Sequence, residues 1–155
     1  MCCDIWLVRH GETVDNASGR IQGQADGKLS ALGKDQARKL AVRLQEEHFD
    51  HVIVSDLGRA VETFGPLQER GWLCELNAAV REKACGSMMG EPIGSSAREA
   101  AAAGVPVRSF RPAGGESWED VARRAEDFLQ DVLGRFGGRR DSGTDAGAGG
   151  APKVL

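Results

Sequence analysis

The sequence predicts an α/β fold: a three-layer α/β/α sandwich with a mostly parallel sheet, incomplete at its C-terminus. Three observations carry this. Short apolar, β-branched runs alternate with helix-length amphipathic segments, the pattern of parallel strands joined by crossover helices. The two loops richest in polar chemistry, "RHGET" (9–13) and "SDLGRA" (55–60), each follow an apolar run. Both therefore fall at the carboxyl ends of strands, where such sheets bind ligands. The chain has 155 residues, enough for one domain with a real core.

Taken in order, "DIWLV" at 4–8 predicts a short buried strand. In "LSALGKDQARKLAVRLQEE" (29–47), Ser30 reads as an N-cap. Ala37, Leu40, Ala41 and Leu44 then recur at helical spacing. "HVIVSD" (51–56) predicts a second strand, and "DLGRAVETFGPLQERG" (56–71) a helix that Gly65-Pro66 should break or kink. "WLCEL" (72–76) is a third strand. From Asn77 to Gly115 the periodicity fades among glycines and prolines. "SAREAAAA" predicts a short helix inside this excursion, whose length points to a functional role. Ser117 with Asp120 three residues on is a capping-box arrangement. Trp118, Val121, Ala125, Phe128, Leu129 and Val132 continue as one apolar face, and Trp6, Trp118 and Phe128 are expected in the core. After Phe136 the composition turns glycine-rich. Residues 1–136 thus read as the N-terminal part of the domain, 137–152 as a flexible linker with Arg139 and Arg140 solvated, and 153–155 as the start of a strand cut short.

Composition excludes several classes. Hydrophobic residues make up 41% and charged residues 28%, and net charge is −3, with no basic footprint for nucleic acid. No apolar run is long enough to cross a membrane, and the first residues lack the pattern of a signal peptide, so the expected compartment is the cytosol. Cys2, Cys3, Cys74 and Cys85 form no C-x-x-C spacing and read as reduced thiols. Lipidation at Cys2 or Cys3 is only weakly signalled, since no myristoylation glycine or basic run accompanies them. The three histidines, His10, His48 and His51, do not sit at metal-ligand spacing.

What the loops do offer is a cradle for phosphate. Arg9 and Arg59 can fork onto its oxygens. Thr13, Asn16 and Gln22 add neutral donors, and Arg59 sits in the first turn of a helix, whose N-terminus favours an anion. His10 is the nucleophile candidate, because a neutral imidazole can attack phosphorus at pH 7. Gly11 is expected to let the backbone turn tightly beside it.

Six ordered blocks carry a resemblance. "RHGET" with Asn16, "QG" at 22–23, "LSALGKDQA" at 29–37, "SDLGRAVET" at 55–63, "VREKACGSMMGEP" at 80–92 and "RPAGGES" at 111–117 resemble the histidine phosphatase superfamily, also called phosphoglycerate mutase-like. The "GGES" and "QGQ" runs are most similar to the TIGAR, or fructose-2,6-bisphosphatase-like, group. The resemblance implies that His10 carries a phosphohistidine, that Arg9, Asn16 and Arg59 bind the transferring phosphoryl group, and that Glu82 is general acid and then base. It implies substrate contacts from Thr13, Gln22 and Gly23, a small phosphorylated metabolite as partner, and neither metal nor cofactor.

Two departures stand out. Cys85 precedes Gly86 where the family usually has a tyrosine, which bears on substrate fit. The family's second active-site histidine, in a late Ser-His-Gly, has no counterpart here; His48 and His51 lack that context. Losing one preorganised donor typically costs roughly 3–4 kcal/mol, a factor of about 10² to 10³. The expectation is therefore a truncated phosphatase with impaired turnover. A mutase and a catalytically dead phospho-ligand binder are the alternatives. Specificity is expected to lie in the Asn77–Gly115 excursion.

Overall fold

The structure is a computed structural model that describes residues 3–137 and 151–155. Four short strands organise it. β1 (Asp4–Ile5) pairs in parallel with β4 (Lys153–Val154), and β2 (Ile53–Val54) pairs in parallel with β3 (Glu75–Leu76). A parallel bridge from His51 to Val154 joins the two pairs, with Leu155 N–H donating to the His51 carbonyl and Ile53 N–H to that of Leu155. The strands therefore lie in the order β1–β4–β2–β3. The expected run at 4–8 is longer than the ladder it forms. Trp6 N–H still reaches the Val154 carbonyl, but Leu7 is 90% exposed and Val8 is half exposed. A strand stays paired only as far as its neighbour accompanies it, and β4 accompanies β1 no further.

Helices α1 (Val14–Ala17), α2 (Ala31–Arg43), α3 (Gly58–Gln68), α4 (Ser95–Ala102) and α5 (Trp118–Phe136) complete the order. Ser30 caps α2, its hydroxyl accepting the Gly33 N–H at 3.0 Å. Ala41 and Leu44 from α2 and its cap pack on Phe64 and Leu67 of α3. Against that cluster lie Trp6, Val52, Val54 and Leu155, so α2 and α3 cover one sheet face by burying the side of the helix that the 3.6-residue repeat makes apolar. Pro66 does not break α3. It lies in the last turn, where the missing N–H frees a single carbonyl and the helix ends two residues later.

The α5 capping box is present in both directions between Ser117 and Asp120. Its apolar face is less buried than the pattern predicts. Val132 is buried, whereas Trp118 is 52% exposed, with the Lys83 ammonium 5.8 Å from its ring centroid. Trp118 is thus not a core residue. The physical reason lies further along the face. Phe128, Leu129 and Val132 line an open cavity of about 560 Å³ with Leu7, Val8 and Val54, so this stretch of α5 meets space rather than packed sheet.

The linker expectation for 137–152 and that for Arg139 and Arg140 fall on 138–150, outside the described residues, as does Cys2. Among the described residues Cys3, Cys74 and Cys85 are free thiols. No described helix is long and apolar enough to cross a membrane.

Candidate active site

The end of the cavity beyond β1 and β2 gathers Arg9, His10, Ser55, Arg59, Thr63 and Glu82. The turn after β1 delivers the first two, and α3 delivers Arg59 and Thr63 one helical turn apart, on one face. Leu57 caps α3 without a side-chain bond; its carbonyl accepts the Ala60 and Val61 N–H groups, while those of Gly58 and Arg59 have no described partner.

His10 Nδ1 lies 2.7 Å from the carbonyl oxygen of Gly11. A carbonyl only accepts, so Nδ1 carries the hydrogen and the Nε2 lone pair is left free. Burial, foremost, holds the His10 pKa below its ordinary 6.5. The Arg59 and Arg9 charges push the same way, while the Gly11 bond and Glu82 oppose. The ring is therefore neutral at pH 7, the state a nucleophile needs.

Thr63 fixes the turn that carries His10. Its hydroxyl accepts the Gly11 N–H at 3.0 Å and donates to the Arg59 carbonyl at 2.7 Å. Gly11 is not in a positive-φ conformation. It is needed for a close approach instead: a Cβ there would stand 2.6 Å from the Gly33 carbonyl oxygen, and one on Gly33 would collide with the Glu12 carbonyl. The turn that bears His10 lies directly on the first turn of α2.

Arg59 is 2% exposed. Its Nη2 donates to the Gly23 carbonyl at 2.7 Å and to Glu82 Oε2 at 2.8 Å, and Nη1 reaches the Ala25 carbonyl at 3.4 Å. Its Nε is buried with no partner among the described residues. The carboxylate of Glu82 thus occupies the Arg59 guanidinium, and about half of the Glu82 side chain is exposed.

The other expected site residues stand behind this front. Thr13 has no exposed surface and Gln22 is 5% exposed. Thr13 Oγ1 donates to Gln22 Oε1 at 2.9 Å, and Thr13 caps α1 in a capping box with Asn16. Asn16 spends Oδ1 on the Thr13 N–H, which leaves its Nδ2 without a described partner. Gly23 needs its glycine twice. Its φ is +55°, and a Cβ would stand 2.8 Å from Cys85 Cβ. Cys85 is buried against that turn, and burial pushes its thiol pKa up.

Thr63, Asp56, Arg81 and Gln24 also bear on this front, outside the set the motifs mark. Arg81 forks onto Asp56, whose carboxyl that bonding holds below its usual range. Gln24 Nε2 donates to the Glu82 carbonyl at 2.9 Å. Thr63 was legible as the residue four beyond Arg59, on the same helix face. His48 lies among Phe49, Val52 and Trp72, and His51 stacks on Phe136 at 3.7 Å, so neither joins His10.

Residues 5–140 match the family model of the histidine phosphatase superfamily, branch 1. Fructose-2,6-bisphosphatase TIGAR of Bos taurus is 35% identical over 130 residues, covering 80% of this chain and 48% of that protein. Among solved structures, a mycobacterial glucosyl-3-phosphoglycerate phosphatase in complex with VO3 superposes with a TM-score of 0.69 at 35% identity, over 81% of this chain and 65% of that one. A phosphoglycerate mutase of Bacillus anthracis gives 0.78 at 25% identity, over 99% and 73%. The chain spans about half the length of the curated relatives it matches. It belongs to the histidine phosphatase superfamily and has that family's α/β, phosphoglycerate mutase-like fold.

Proposed function

We propose that this histidine phosphatase superfamily member removes a phosphate from a small phosphorylated metabolite through a phosphohistidine on His10. The substrate class is a sugar bisphosphate such as fructose 2,6-bisphosphate. The observation that carries the reading is the Nδ1–H of His10 given to the Gly11 carbonyl, in a ring that burial keeps neutral. It presents Nε2 to phosphorus.

In the first half-reaction Nε2 attacks phosphorus, the P–O bond to the leaving alcohol breaks, and the departing oxygen takes a proton from the Glu82 carboxyl. In the second, water attacks phosphorus, the P–N bond breaks, and the Glu82 carboxylate takes the proton of water. Arg9, Arg59 and Asn16 hold the charge spread over the phosphoryl oxygens. Arg59 now holds Glu82 at 2.8 Å, so an arriving phosphate competes for that guanidinium and releases the carboxyl to work. Thr13, Gln22 and Gly23 contribute by shaping the turn whose carbonyl anchors Arg59.

The likeness to a fructose-2,6-bisphosphatase supports the sugar bisphosphate. The likeness to a phosphoglycerate mutase favours a second reading, in which the phosphoryl group returns to another hydroxyl rather than to water. Requirement for a bisphosphate primer separates the two. The test is a phosphoenzyme trap: the chain is mixed with labelled fructose 2,6-bisphosphate, quenched in alkali and assayed for acid-labile label. Label on His10 that vanishes in His10→Ala supports the reading. No label on a folded chain refutes it and favours a phospho-ligand binder.

A further inference from the structure

Glu82 has no secondary structure of its own. It lies between 3-10 turns at Ala78–Val80 and Gly86–Met88, and its carboxylate reaches only Arg59 among the described hydrogen bonds. Its aim must come from whatever holds the backbone of 79–84. Gln24 Nε2 holds the Glu82 carbonyl at 2.9 Å, and local turns hold 79–81 and 83; the remaining described bonds come from two residues, Arg124 and Glu116.

Arg124, on α5, spends four of its N–H donors. Nη1 donates to the carbonyls of Ala79 and Arg81, each at 2.8 Å. Nε and Nη2 fork onto Glu116 at 3.1 and 3.0 Å. Glu116 in turn accepts the Ala84 N–H on Oε2 at 2.7 Å, and its own N–H donates to the Ala84 carbonyl at 2.8 Å. The segment is thus gripped just before Glu82 and again two residues after it. Gly115 permits the approach, since a Cβ there would stand 2.7 Å from the Ala84 carbonyl oxygen. A pair that only decorated the helix surface would not have its guanidinium turned onto carbonyls of another segment. Both side chains are about three-quarters buried.

We infer that Arg124 and Glu116 are positioning residues that aim the Glu82 carboxyl at the leaving oxygen, an inference that rests on the proton-transfer role proposed above for Glu82. A lysine at 124 keeps the charge but cannot make the fork and the two carbonyl bonds together.

The experiment compares His10 labelling from two phosphoryl donors, fructose 2,6-bisphosphate and 4-nitrophenyl phosphate. The nitrophenolate leaves without a proton, so its transfer does not need Glu82. In Arg124→Met and Glu116→Gln the rate from the sugar bisphosphate should fall about 10- to 100-fold, the effect of a misplaced catalytic group. The rate from 4-nitrophenyl phosphate should stay within about twofold, which also shows that the site is folded. Arg124→Lys should fall between. Glu82→Gln sets the scale, with a split of about 100-fold or more. Equal rates, or equal losses with both donors, in Arg124→Met and Glu116→Gln while Glu82→Gln shows the split would overturn the positioning role alone. No split in Glu82→Gln, or no label on the unmodified chain, overturns the Glu82 reading and this inference with it.

Discussion

Replacing Thr63 with valine isolates the one side-chain bond that, among the described residues, ties α3 to the turn bearing His10. Thr63 is 6% exposed, and its hydroxyl accepts the Gly11 N–H at 3.0 Å. Valine has nearly the same shape, so no cavity forms. The Arg59 carbonyl keeps its helical partner, the N–H of residue 63. What changes is that the Gly11 N–H is left buried without an acceptor, which costs about 1–3 kcal/mol. For a chain of this size each kcal/mol lowers Tm by about 2–4 °C, so the expected drop is roughly 2–12 °C. Urea unfolding at constant m measures the free energy, and the His10 labelling rate reads the local effect, because Gly11 also carries the carbonyl that orients the ring. Thr63→Ser keeps the oxygen and should lie close to the unmodified chain in both assays. A Thr63→Val chain within about 0.5 kcal/mol of the original and equally fast to label would refute the claim that this bond holds the site.

Three more expectations follow from the same geometry. His10 titrates below 6.5, so as pH falls through 6.5 the unfolded chain takes up the proton first and the fold loses stability until the folded pKa is passed. Glu82→Gln removes an anion that raises the His10 pKa and should lower the midpoint further; a proton NMR midpoint at or above 6.5 in the unmodified chain contradicts this. Gly33→Ala drives a methyl into the Glu12 carbonyl and should cost about 1–3 kcal/mol, whereas Gly134→Ala in α5 meets open space and should gain about 0.5–1 kcal/mol; denaturant midpoints for the pair decide it. Ser117→Ala breaks the α5 capping box and should cost about 0.5–2 kcal/mol by thermal unfolding, with no loss contradicting the cap.

What the sequence revealed follows from how local each signal is. The caps at Ser30 and Ser117 were legible because capping is a contract among four consecutive residues. The grouping of Arg9, His10, Arg59 and Glu82 was legible through ordered motifs and the rule that parallel sheets bind ligands at strand ends. Helix α1 was not, since four residues are too few to show a period, and its only sign was Thr13 with Asn16 at capping distance. The close approach that demands Gly11 was not legible either. Its sequence context looks like a turn, while the constraint comes from Gly33, twenty-two positions on and visible only in three dimensions. The burial of α5 was overread for a similar reason: an amphipathic pattern states which face is apolar, not what meets it.

The strand order has a bearing on how the chain reaches this shape. β4 lies between β1 and β2, which do not pair with each other among the described residues, so the strand that joins them follows both in the chain. A chain that has delivered everything through Phe136 holds both flanking strands together with Arg9, His10, Arg59 and Glu82, yet lacks the piece that joins the strands. Asp4 must wait for Lys153, a contact across almost the entire chain. Such long-range pairing is slow, and until it forms, the edges of β1 and β2 and the apolar side chains of Trp6 and Val54 stand open to whatever else can add a strand.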